Sequence, residues 1–421
     1  MQFNIHPINL LRSLSMALEL SSGGLSRHHW RTAMISSRIA QYIGLDDSQQ
    51  QPLVYAALLH DIGAASNWEE KKRLHNFKVH NMDIHAHAEA GYDLLKDSPQ
   101  LGMLAVPIRH HHDYWDGSSP SGLAGKDIPL ASRIINLADR VEVLLRDNVF
   151  IFEQRPDILS AIRNLSGTYF DPDLVKALHE FARQESFWLD LVNPHYYHNF
   201  FRNIDIYGLM RFSIEDVINI AEIFATIIDR TSSFTATHSR SVSLMAAYLA
   251  EARGYSSEEV KAMRIAGLLH DLGKLSIPNA LLEKSGKLTE WEFAIIKQHT
   301  YYTYRILEQI DGFDLIAEWA AYHHETLDGS GYPFRISESS LRLGSRIVAV
   351  ADVFVALTEN RPYRASMSPD KVEKVIRGMV ANRKLDGTIV ADLFGNCNEA
   401  YELMQASMAD KRLLYEKKQS S

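Results

Sequence analysis

Cysteine is all but absent from this 421-residue chain. The single residue, Cys397, excludes internal disulfides and any multi-cysteine zinc site, and it fits a reducing compartment. Positive charge is not in excess either. Lys and Arg number 44 against 52 Asp and Glu, a net charge of −8, so no basic face advertises long nucleic acid. No run of ~18 apolar residues occurs, which leaves no helix to span a bilayer. The start, Met-Gln-Phe-Asn-Ile-His-Pro, lacks the charged segment and apolar run of a signal peptide. Runs of period-2 alternation are missing too, which argues against sheet. These absences predict a soluble, cytoplasmic, all-α protein, and 46% hydrophobic composition is enough to bury two ordinary cores.

Histidine is what the chain has, and it is ordered. In the second half His238 is followed 32 residues later by His270-Asp271, then His299, His323-His324 and Asp352. In the first half His28 is followed 32 residues later by His60-Asp61, then His87, His111-His112 and Asp139. Ten of the 19 histidines fall on these positions, and imidazole with carboxylate is the usual ligand set for borderline divalent ions. The offset between the halves drifts only from 210 to 213, as short loop changes would produce. LVYAALLHDIG at 53–63 answers MRIAGLLHDLG at 263–273, and Ser132-Arg133-Ile134 answers Ser345-Arg346-Ile347. The simplest organisation is a duplicated domain, 1–198 and 199–421, each a helical bundle.

Val260, Met263, Gly267 and His270 recur at helical spacing, which turns His270 inward; Ile296, His299 and Ile306 do the same for His299. Ser256 with Glu259 and Thr289 with Glu292 have capping-box spacing, and Ser368-Pro369 suits a helix start. The aromatic stretch Phe187, Trp188, Tyr196, Tyr197, Phe200, Phe201 and Tyr207 is expected to pack the two domains together. It is not the composition of a flexible linker.

The adjacent His270-Asp271 pair supplies a nitrogen and an oxygen ligand one residue apart, and Asp271 can bridge two ions. His238 and Asp352 would complete one ion's protein ligands; His299, His323 and His324 would complete the other's. Two such ions can clamp a phosphate for in-line attack. The mixed N/O set suits iron or manganese, with zinc an alternative, and disfavours an all-oxygen magnesium site.

Taken in order, His270-Asp271-Leu272-Gly273-Lys274, His299, His323-His324-Glu325, Asp328-Gly329-Ser330-Gly331-Tyr332-Pro333, Asp352 and Arg361-Pro362-Tyr363-Arg364 resemble the HD-GYP family, a branch of the HD phosphohydrolases. The resemblance spans roughly 213–394. It implies hydrolysis of a cyclic dinucleotide, cyclic di-GMP or cyclic GMP-AMP, to a linear dinucleotide and on to mononucleotides in some cases. Lys274 matches the lysine at the scissile phosphate, where its charge would offset that of the transition state. Tyr332 matches the signature loop at the site mouth; Arg361 and Arg364 match the positions that hold substrate phosphates. Departures accompany the match. Phe234 stands where many members have a glutamate for a third metal, which predicts two ions. Val355 replaces a second aspartate, and Leu385-Asp386-Gly387 replaces Phe-Asp-Pro. The rival readings are a non-catalytic cyclic-dinucleotide receptor and a general nucleotide phosphohydrolase.

The first half keeps His28, His60, Asp61, His87, His111, His112 and Asp139 as a second candidate metal site, although His29, His85 and His110 compete for ligand positions. It resembles an HD domain without the GYP signature, since Ala64 stands in place of Lys274 and Trp115-Asp116-Gly117-Ser118-Ser119-Pro120 in place of the loop. A structural or regulatory partner and a second phosphohydrolase, such as a phosphomonoesterase, are both open. Exposed apolar helix faces suit a homodimer, and a diguanylate cyclase or other signalling protein is a natural partner.

Overall fold

The computed structural model describes residues 5–21, 24–25, 27–67, 84–205, 211–232, 237–359 and 366–407. The chain divides into two units, His6–Arg211 and Phe212–Ser421, the latter including Met1–Ile5. Among the described residues the secondary structure is helical, as expected, apart from the isolated bridges Ile5–Phe212 and Ser166–Phe170 and a hairpin pairing Leu20–Ser21 with Gly24–Leu25, too short to leave an alternating pattern in the sequence.

Among the described residues of the first unit the α-helices are α1 (Pro7–Leu18), α2 (His28–Tyr42), α3 (Asp47–Leu59), α4 (Ile84–Leu95), α5 (Gly102–Arg109), α6 (Leu130–Val143), α7 (Ile151–Asn164), α8 (Pro172–Phe181), α9 (Glu185–Val192) and α10 (Pro194–Asp205). In the second they include α11 (Ile214–Asp229), α12 (His238–Ala252), α13 (Ser257–Leu269), α14 (Glu290–Leu307), α15 (Asp314–Ala321), α16 (Leu343–Thr358), α17 (Pro369–Ala381) and α18 (Gly387–Gly395). The bounds of α12 and α13 repeat those of α2 and α3 at an offset of 210.

Local sequence starts these helices where the site needs them. Ser256 and Glu259 close a capping box on α13, Thr289 and Glu292 one on α14, and Asp46 and Gln49 one on α3. Ser368 does stand at the N-cap of α17 with Pro369 next, though its side chain makes no cap bond. Helices α2 and α12 have no cap of their own. Instead Glu19 accepts from the His29 amide, and Asp229 accepts from the Ser239 amide at 3.2 Å. A carboxylate ten residues upstream of the bonded amide thus pins the helix end that carries the first cluster histidine of each unit, His28 or His238.

The second unit's core is the seam of α12, α13 and α16. Val242, Met245, Leu249, Ala262, Met263, Leu269, Ile347, Val350 and Phe354 are all fully buried. At ~1.5–3 kcal/mol for each large side chain, this seam fixes the helices against one another, and the site inherits that rigidity. Several members of the aromatic stretch make contacts inside the first unit. Trp188 Nε1 donates to the Ala182 carbonyl, and Arg31 Nε donates to the Tyr197 hydroxyl. The Trp30 ring meets Tyr197 and Phe201 edge-on. Phe187, Trp188, Tyr197, Phe200 and Phe201 are buried and Tyr196 is half-buried; Tyr207 lies outside the described residues.

Candidate metal centre

Each sequence-predicted ligand of the second unit sits at a helix end or on an inward face. His238 opens α12, His270-Asp271 ends α13, His299 lies midway along α14, His323-His324 follow α15, and Asp352 is on α16. A 3-10 turn, Leu272–Ser276, leads away from the pair. Gly273 lets that turn press on the backbone of His299, where a Cβ would collide with the carbonyl.

The imidazoles are set in one tautomer by main chain. Nδ1 of His270, His299 and His323 donates to the carbonyls of Gly267, Ile296 and Ala320 at 2.7, 2.6 and 2.7 Å. Nε2 of the same three rings is buried and has no hydrogen-bond partner. Burial holds the His299 pKa near 3, against the opposing pull of Asp271, and holds His323 and His324 low as well. Bare lone pairs on neutral, buried nitrogens are costly without a partner, and a cation is the partner that fits.

Asp271 divides its two oxygens. Oδ2 lies 3.1 Å from His270 Nε2 and receives the Lys274 ammonium, while Oδ1 lies 3.4 Å from His299 Nε2 and 3.9 Å from His323 Nε2. His238, His270 and Asp352 form one compact ligand group; His299, His323 and His324 form a second, all within 4.8 Å inside each group. Despite burial, His270 and Lys274 keep the Asp271 carboxyl well below its usual range. His238 keeps Asp352 there likewise.

One carboxylate escaped the sequence reading. Glu359 takes Nδ1 of His238 at 3.1 Å, while Asp352 faces its Nε2 at 3.1 Å. Burial alone would lower the His238 pKa, but these two carboxylates raise it to about 10. An imidazole so placed either carries a proton or shares a cation with Asp352. A carboxylate is thus present one helical turn beyond Val355. Phe234, Arg361 and Arg364 lie outside the described residues.

The signature loop is tied down by Glu325, whose carboxylate accepts the amides of Phe334, Arg335 and Ile336 at 2.7–3.0 Å. Gly331 lies against the His324 backbone with no room for a Cβ. This brings the Tyr332 ring to 4.9 Å from that of His324. Asp386 also keeps its function without the Phe-Asp-Pro motif. It caps α18 through the Thr388 amide and pairs with Arg346, as Asp171 caps α8 and pairs with Arg133.

The first unit repeats the design. Asp61 turns Oδ2 toward His28, His29 and His60 at 3.4–3.7 Å, and Oδ1 toward His87 at 3.2 Å and His111 at 3.8 Å. The ambiguity of ligands resolves spatially. His29 joins the cluster beside His28, whereas His85 and His110 turn to Asp113, leaving His87, His111 and His112 at the centre. Asp139 lies 3.4 Å from His28, and Glu142 holds His28 Nδ1 at 2.6 Å. Ala64 brings no charge, but Arg140 donates to the other oxygen of Asp139 at 2.8 Å.

Comparison with known proteins places both halves. The HD domain family matches residues 222–389 and, separately, residues 25–144. The chain is 33% identical over 404 residues to the 3'3'-cGAMP-specific phosphodiesterase 1 of Vibrio cholerae serotype O1, covering 92% of this chain and 91% of that one. It is 37% identical over 163 residues to a cyclic di-GMP phosphodiesterase of Thermotoga maritima, covering 38% of this chain and 44% of that one. A solved structure of a cyclic GMP-AMP specific phosphodiesterase of V. cholerae superposes with a TM-score of 0.68 at 26% identity, covering 94% and 98% of the two chains. Among the described residues no helix is long and apolar enough to cross a membrane.

Proposed function

Because the chain belongs to the HD domain family, as a tandem pair whose second half is of the HD-GYP type, we propose that it is a metal-dependent cyclic-dinucleotide phosphodiesterase working at the second unit's cluster. The observation that carries this is the set of bare, buried Nε2 atoms on His270, His299 and His323 around the two-sided carboxylate of Asp271. Neutral imidazoles with carboxylates suit iron, manganese or zinc. The two ligand groups, with one oxygen of Asp271 turned to each, support two ions. Bound there, the ions would supply Lewis acidity at the phosphate and make water a competent nucleophile at neutral pH.

The chain's own groups then have separate tasks. His238 and Asp352 on one side, and His299, His323 and His324 on the other, hold the metals. Lys274, beside Asp271 at the edge of the cluster, offers its ammonium to the scissile phosphate, where charge builds up in the transition state. Tyr332 closes the mouth over His324. Arg361 and Arg364 are assigned to substrate phosphates on the resemblance alone.

The substrate reading favours 3'3'-cyclic GMP-AMP. Relatives that match both halves are named for that dinucleotide, whereas the Thermotoga cyclic di-GMP enzyme matches little more than a third of this chain. Incubation with Mn²⁺ or Fe²⁺ and a panel of cyclic dinucleotides, followed by product separation, tests it. Linear product from cyclic GMP-AMP ahead of cyclic di-GMP supports the reading. Tight binding without product would make the protein a receptor, and faster cleavage of mononucleotide esters would make it a general phosphohydrolase.

A second reading concerns the first unit, whose ligand groups are as complete as the second's. It supports metal binding there too, with Arg140 bringing a cation to the cluster edge that Ala64 leaves uncharged.

A further inference from the structure

Helix α14 has two working faces. Its inner face delivers His299 to the cluster, and its outer face carries Phe293, Lys297 and Tyr301 at successive steps of four residues, one stripe on a helix. Phe293 and Tyr301 are 44% and 40% exposed, unusual for large rings on a helix whose other face is in the core. Part-exposed as they are, these side chains border a cleft. With Tyr332 and His324 they line a cavity of about 600 Å³, which therefore reaches the cluster through His324.

The rings and the cation inside this cavity are arranged together. Phe293 meets Tyr332 edge-on at 6.1 Å, and Tyr332 lies 4.9 Å from His324. The Lys297 ammonium sits 5.0 Å from the Phe293 centroid and 6.0 Å from that of Tyr332. No carboxylate pairs with it among the described residues. Lys384, at the same rim, is by contrast held by Asp328 at 2.7 Å.

We propose that Phe293, Lys297 and Tyr332 form the subsite for the nucleotide remote from the phosphodiester being cleaved, with its base against the rings and its phosphate on Lys297. The inference rests on the cyclic-dinucleotide reading and adds to it the wall that recognises the second half of the substrate. A cyclic dinucleotide has two phosphates and two bases, and the metal cluster accounts for one phosphate only. An aromatic face accepts any base by stacking, and an unpaired ammonium beside it answers the adjacent charge. This divides recognition from chemistry. Loss of the wall weakens binding of the dinucleotide more than it slows cleavage of a small ester.

The test uses the full-length, metal-loaded protein with Phe293→Ala, Lys297→Ala and, as a control, Trp291→Ala, a ring on the same helix that is 73% exposed and outside the cavity. Two measurements are made: binding of a phosphorothioate analogue of 3'3'-cyclic GMP-AMP, and KM and kcat for that dinucleotide and for bis(4-nitrophenyl) phosphate. Each cavity variant is expected to bind the analogue about five-fold or more weaker, the loss appearing in KM and falling mainly on the dinucleotide, while the control matches the parent. Unchanged affinity in both cavity variants would overturn the subsite. A parent protein that binds the analogue but cleaves no dinucleotide would sink the phosphodiesterase reading instead, and the binding series would still decide the subsite.

Discussion

Glu359 holds Nδ1 of His238 at 3.1 Å, in the role that Glu142 has on His28 at 2.6 Å. The two glutamates do not correspond in sequence. Glu142 stands three residues after Asp139, and the matching position in the second unit is Val355, fully buried and apolar. Glu359 comes four residues later, where its amide bonds the Val355 carbonyl. One turn of helix returns a side chain to the same face, so a carboxylate can change register and still reach the same nitrogen.

A carboxylate on the far nitrogen of a ligating histidine fixes the tautomer and raises ligand basicity. Glu359→Gln is therefore expected to weaken metal affinity about 10- to 100-fold, read by competition with a chelator. Combining Val355→Glu with Glu359→Ser should recover much of the loss, because it rebuilds the first unit's register, where Glu142 holds His28. Wild-type metal affinity in Glu359→Gln would show the contact to be incidental.

Asp271 turns one oxygen to each ligand group. Asp271→Ala removes a ligand from both, so metal content and hydrolysis should disappear together. Metal analysis and product separation on one sample check this, and a variant that keeps full activity refutes the bridging role.

Lys274 leans on Asp271 but belongs to neither ligand group. Lys274→Ala should keep its metal and lose turnover by roughly 10²–10³, the scale for removing one stabilising donor at a developing charge. If metal is lost instead, the lysine's role is structural.

The histidine and aspartate clusters were legible because metal binding needs particular residue types, and the duplication wrote them twice at nearly one spacing. Helix starts were legible where the cap is local, as at Ser256 and Thr289. What stayed hidden acts across distance in the chain. The Glu19 and Asp229 carboxylates reach amides ten residues on, and Glu359 reaches a histidine 121 residues away. Neighbouring histidines could be sorted only by direction, which placed His29 in the cluster and turned His85 and His110 to Asp113. The aromatic stretch did not show its partners in sequence, since Trp188 bonds the Ala182 carbonyl and Phe201 meets Trp30, 171 residues away.

The first unit offers the last test, and it separates metal binding from turnover. Its Asp61 divides its oxygens as Asp271 does, and His60 and His111 are fixed through Nδ1 by main-chain carbonyls at 2.8 and 2.6 Å. By the same reasoning both units should load. The parent protein is then expected to carry about four ions per chain, and the His60→Ala, Asp61→Ala double variant about two, given a metal pair in each cluster. Cleavage of the cyclic dinucleotide should persist in that variant, because Lys274 and the signature loop belong to the other unit. A parent with only two ions would leave the first cluster a structural remnant. Loss of cleavage in a variant that still folds and keeps two ions would mean that turnover in one unit depends on the metal held by the other.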